Sequence, residues 1–171
     1  CNSTILVSMN LEQALETYTE AQKLFGTRMM LIGCGLMTFA VYLHFIEDGR
    51  LYDGMKISAL IGGLLAVLAG AFYHGYSART QEAQHAIYQQ DSNQFLQVEQ
   101  VRMAKVEKEY PMFQWVFGVI LMAAVLLRLL GPSDYWHGVA YSIMILMVLQ
   151  MILESISKLS IDAYYQSLVS G

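Results

Sequence analysis

The chain has 171 residues, 56% of them hydrophobic and 14% charged, with a mean hydropathy of +0.41. A soluble domain usually carries about 25% charged residues, and a single water-facing core of this length cannot hide so much apolar surface. The formal net charge of −4 supplies no basic face to displace phosphate counterions, which argues against nucleic acid as a partner.

The chain begins at Cys1, which reads either as a cut terminus or as a processed, lipid-bearing one. Leu11, Leu15, Tyr18, Ala21 and Phe25 then fall at helical spacing with Glu12, Glu16 and Glu20 interleaved, so 11–25 is predicted to be a polar helix. The first long apolar stretch follows, Met29–Ile46, with Cys34 expected to pack as a small hydrophobe. A polar turn from Glu47 to Gly54 leads to the second, Ile57–Tyr76. The polar segment 77–110 breaks at Asp91-Ser92-Asn93, where Asp91 is placed to cap a helix from about Asn93 to Glu109. Pro111 marks the start of the third apolar stretch, Met112–Leu130, because the first turn of a helix tolerates a missing N–H. Gly131–Trp136 then turns into the fourth, Gly138–Ser157.

Each stretch approaches the ~20 residues needed to cross ~30 Å of hydrocarbon, where backbone groups must satisfy one another within a helix or a closed barrel. None alternates with period two. The expected fold is therefore all-α, one integral membrane domain over 1–171. It is a four-helix transmembrane bundle of two helical hairpins, each preceded by a cytoplasmic helical segment. Of the ten Lys and Arg, Lys23, Arg28, Arg79, Arg102, Lys105, Lys108 and Lys158 fall on one side, against Arg50, Lys56 and Arg128 on the other. That bias places both termini and the 77–110 segment in the cytoplasm. Tyr52, Tyr135 and Trp136 then occupy the outer interface and Trp115 the inner one.

Ser58, Gly62, Ala66 and Gly70 recur every four residues along the second stretch, and His74 continues the row. Small residues at this interval let helix backbones approach closely, either within the chain or against another subunit, a lipid or a pigment. Gly33, Cys34 and Gly35 are candidates for the facing surface. In the fourth stretch Gln150 and Glu154 share one face, one turn apart, followed by Lys158 and Asp162. Ionisable groups in a span are functional candidates, although Glu154 near a boundary can simply pair with Lys158.

His44 and His137 lie near the outer ends of the first and fourth stretches, with Asp and Glu in the adjoining turns, and could clasp a haem iron or a transition metal. His74 could serve as an axial ligand to a haem or chlorin. The His44/Glu47 and Glu82/His85 pairs are expected on opposite sides, so they cannot combine into a di-iron site. No GxSxG, GxxxxGK[ST] or GxGxxG occurs.

The run Arg102-Met103-Ala104-Lys105-Val106-Glu107-Lys108-Glu109-Tyr110, leading into the third stretch, is similar to the corresponding part of a group of small uncharacterised bacterial four-helix membrane proteins. Gln150 to Leu168, with Glu154 and Tyr164, resembles their closing helix, with its charged cluster thinned here to Lys158 and Asp162. The resemblance covers the C-terminal ~40% of the chain and implies a bacterial inner-membrane location. The functional expectation is a noncatalytic accessory or scaffold subunit of a larger membrane complex, with the bilayer and other membrane subunits as partners. The alternatives are a haem-, pigment- or metal-binding redox subunit using His44, His137 or His74, and a small transporter or channel-forming oligomer working through Gln150 and Glu154.

Overall fold

The computed structural model describes the backbone of residues 2–46 and 48–170, and their side chains apart from 2–10, 46 and 170. Cys1 and Glu47 lie outside the described residues. The described chain forms four helices: α1 (Asn2–Ile46), α2 (Arg50–Gln90), α3 (Ser92–Leu130) and α4 (Asp134–Ser170). All four are long and apolar enough to cross a bilayer. At 37–45 residues each, they run about 55–68 Å, about twice the hydrocarbon thickness.

That length corrects the expected segmentation. The polar segments are not separate helices; they continue each apolar stretch without a break. α3 passes straight through Pro111, which forfeits one backbone bond to the Glu107 carbonyl. Glu107 is exposed, so water can take up the orphaned carbonyl, while buried Met103 and Tyr110 hold the helix in place just before the proline. The connections are correspondingly shorter than the sequence suggested. α2 already begins at Arg50, behind Gly49, whose φ of +147° is a conformation open essentially to glycine. The expected break at Asp91 is present: its carboxylate accepts from the N–H groups of Asn93 (2.9 Å) and Gln94 (3.1 Å).

The helices hold together by two different means in their two halves. In the polar halves they build an ordinary apolar core from Leu11, Leu15, Tyr18, Phe95, Met103, Ile161, Tyr164 and Leu168, with Leu15 and Met103 wholly buried. Each such side chain contributes about 1.5–3 kcal/mol by leaving water. In the apolar halves large side chains point outward, among them Leu31, Leu65, Phe72, Trp115 and Leu129, a surface suited to lipid. Lipid removes the hydrophobic drive between helices, so close backbone approach takes over. A Cβ added at Gly33 would stand 2.5 Å from the Gly63 carbonyl oxygen, and one at Gly26 would stand 2.8 Å from that of Gly70. These glycines repeat every seven residues, the interval that keeps one seam facing its neighbour along paired helices. At the far end the α2 and α4 backbones touch through Gly54 and Gly138, and the Ser142 hydroxyl donates to the Met55 carbonyl at 3.2 Å. α3 packs mainly on α4; only 6% of its most apolar window is buried, against 22–28% for the others.

Candidate functional site

The helices that bring polar groups together do so where the apolar halves give way to the polar ones. The heptad-like face of α1 that buries Leu11, Leu15, Tyr18 and Phe25 also carries Gln22 inward, 4% exposed. On α3 the same turn-by-turn logic buries Phe95 and Met103 and, between them, Glu99, a carboxylate 2% exposed. A buried charge is tolerable only if it is paired and fully hydrogen-bonded. Glu99 meets both conditions. Arg102, one turn on, donates from Nε at 2.8 Å and from Nη2 at 2.5 Å. Gln84 of α2 donates through Nε2 at 3.1 and 3.2 Å, and the Tyr164 hydroxyl of α4 donates at 3.1 Å. The Tyr164 ring stacks on Tyr18 of α1, with centroids 4.4 Å apart, and the Arg102 guanidinium lies 5.8 Å from the Tyr18 centroid. One ion pair therefore engages all four helices. Burial pushes the hydroxyls of Tyr18 and Tyr164 up from the usual tyrosine pKa, so both stay protonated, Tyr164 donating to Glu99 and Tyr18 accepting from Arg102.

Beside this clasp lies a cavity of about 190 Å³ whose wall includes Gln22, Tyr73, Tyr76, Ser77, Thr80 and Arg102. The Tyr73 hydroxyl donates to Gln22 Oε1, while Gln22 Nε2 is buried with no partner. The cavity and the clasp escaped the sequence reading. Glu99 and Arg102 at i, i+3 offered a local hint, but the partners Gln22, Gln84 and Tyr164 are polar residues at helical spacing with nothing to separate them from a solvated face.

The residues singled out in the sequence are dispersed. Gly70 packs on α1, Gly62 faces Leu146 of α4, Ala66 is buried, and Ser58 donates to its own helix at Gly54 (2.6 Å). Gly33 meets α2, but Cys34 is exposed rather than packed, and Gly35 has open space beside it, because both are rotated off the seam. His44 is exposed with its ring against Phe45; His137 lies 3.2 Å from the Gly131 carbonyl, and His74 lies 3.2 Å from that of Lys23. Among the described residues no three His, Cys, Asp or Glu side chains converge as metal ligands would. Gln150 is buried and Glu154 half-buried on one face of α4. Lys158 does not pair back to Glu154; it pairs forward with Asp162 at 3.5 Å and lies 5.7 Å from the Tyr110 centroid. The Tyr110 hydroxyl takes the Glu154 backbone carbonyl at 2.6 Å. Compared with protein families, curated proteins and solved structures, the chain matches none.

Proposed function

We propose that the chain is a noncatalytic integral membrane subunit that docks a second membrane protein along α3. It is arranged as two hairpins, α1–α2 and α3–α4, in a bacterial inner membrane, with both termini and the Asp91 turn in the cytoplasm. The charge bias supports that orientation: seven of the ten Lys and Arg lie toward the polar end of the helices. The polar halves then form a cytoplasmic four-helix module, made rigid by the Glu99 clasp and continuous with the spans.

The observation that carries the reading is the bareness of α3. Its polar half is locked into the module, yet its apolar half contacts little beyond α4. On its open side Pro111, Gln114, Trp115, Gly118, Val119 and Met122 line a shallow groove of about 500 Å³, and apart from its chain neighbours and its own helix backbone nothing lies within 4 Å of where a Gly118 Cβ would stand. A glycine flanked by an amide and large apolar side chains suits close approach by another transmembrane helix.

The test is site-specific photocrosslinking in intact membranes. A photoreactive residue in place of Gly118 should give one discrete adduct with a second membrane protein, whereas one in place of Leu65, exposed on α2, should give none. No adduct from either position, together with a lone monodisperse monomer in mild detergent, would refute the docking reading. A crosslink only to a second copy of the chain would replace the partner with self-association. Labelling positions 50 and 79 from the same face of sealed vesicles would overturn the orientation.

A further inference from the structure

The cavity beside the clasp sets several polar side chains into a largely apolar wall. It lies at the depth where the apolar halves end, which in a bilayer is the level of the lipid ester and phosphate groups. An amide nitrogen as deeply buried as Gln22 Nε2 ordinarily has a partner, because a stranded buried donor is costly. The Tyr73 hydroxyl holds the other end of the Gln22 amide, through Oε1, and leaves Nε2 directed at the cavity wall's remaining polar groups.

The remaining wall tells what that partner is. Arg102 is gripped from the protein side by Glu99, which fixes the guanidinium while its side chain stays 34% exposed. Ser77 and Thr80 add hydroxyls, so the lining is rich in donors. Yet the pair Arg102–Glu99 is neutral overall, and a free phosphate would lose its hydration there without a compensating net charge. A phosphodiester still attached to its lipid loses less, because its oxygens remain at an interface, and its acyl chains have somewhere to go. The contacts that join α2 to α3, Gln84 with Glu99 and Tyr88 with Phe95, lie on the polar side of the cavity. Beyond the cavity, toward the apolar halves, Phe72 of α2 and Met112 of α3 do not line its wall but turn outward, 78% and 56% exposed, and offer apolar surface for the chains.

We propose that this cavity seats the phosphate–ester region of one membrane phospholipid, whose oxygens accept from Gln22 and Arg102 and whose chains lie along the apolar faces of α2 and α3. The site stands apart from subunit docking at α3, and either can fail without the other.

Native mass spectrometry of the full chain in detergent tests it. The protein is stripped of lipid and supplied separately with phosphatidylglycerol, with phosphatidylcholine and with inorganic phosphate alone. A single phospholipid should stay bound as detergent is exchanged, and Gln22→Leu should lower its occupancy roughly tenfold. Thr80→Trp, at the half-exposed rim, should do the same by filling the space, and it keeps the test decisive if Gln22→Leu misfolds by circular dichroism. Leu65→Ala, facing outward on α2, should change nothing. Equal occupancy in all variants would mean lipid held at the general surface and would overturn the proposal. So would displacement of the lipid by millimolar inorganic phosphate, which would make the ligand a soluble anion, and so would no retained lipid at all, which would leave water as the occupant.

Discussion

Replacing Glu99 with Leu tests whether one buried ion pair holds the four polar halves together. The substitution removes the acceptor for Arg102, Gln84 and Tyr164 at once, and Gln84 and Tyr164 are 7% and 2% exposed, so neither can turn to water. Breaking a buried pair from one side costs about 3–5 kcal/mol, and each stranded neutral donor adds about 1–3 kcal/mol when nothing relaxes. Arg102 is about a third exposed and can swing partly to solvent, so a net loss of about 4 kcal/mol is expected for the whole change. For a chain of this size that corresponds to a fall in Tm of about 8–16 °C. The informative partner is the double variant Glu99→Leu, Arg102→Met. Removing both charges leaves no stranded cation, so it should recover about 2 kcal/mol of the single variant's loss. The assay is thermal or denaturant unfolding in a fixed detergent, followed by circular dichroism and by Trp fluorescence. A double variant no more stable than Glu99→Leu would refute the reasoning, as would a single variant within 1 kcal/mol of the parent.

Other consequences follow from the packing. Gly33→Leu should separate α1 from α2, because the Gly63 carbonyl is backbone and cannot yield; a loss of about 1–3 kcal/mol is expected in the same unfolding assay, while Gly35→Ala, with open space beside it, should cost nothing from contact. Pro111→Ala should stabilise the protein by about 1–3 kcal/mol, since α3 is continuous there and regains its bond to Glu107; at a true helix start the change would be close to neutral. Asp91→Ala should cost about 1 kcal/mol by uncapping α3, and amide exchange at Asn93 and Gln94 should rise accordingly. A spin label at Cys34 should be relaxed by lipid-dissolved oxygen more than by a water-soluble reagent, because that thiol faces outward from α1; the reverse order would contradict the rotation of the helix.

Along the chain, what the residues announced was whatever depends on neighbours a few positions away. Runs of apolar side chains about 20 residues long have no stable place in water, and in lipid only a helix satisfies their backbone, so four helices were readable from composition and length alone. The Asp91 cap was readable too, because a short acceptor side chain bonds N–H groups two and three residues ahead of it. The 3.6-residue face of Leu11, Leu15, Tyr18 and Phe25 was equally plain.

Contacts between helices depend instead on how each is rotated and how far it slides along its neighbour, and many rotations satisfy the same local pattern. Packing chose the pairs: Gly63 rather than Gly62 meets α1, Gly33 does so and Gly35 does not, and Lys158 reaches Asp162 instead of Glu154. Packing also carried α3 through Pro111, against the local preference for a boundary. The chemistry that matters most here, Glu99 satisfied from α2, α3 and α4 beside a Gln22 from α1 whose Nε2 alone lacks a partner, has members up to 65 positions apart for a single bond. The sequence alone determined that the chain makes four lipid-compatible helices. Only the tertiary structure decided which of their polar residues face one another, because that is set by the shape of every interlocking side chain at once.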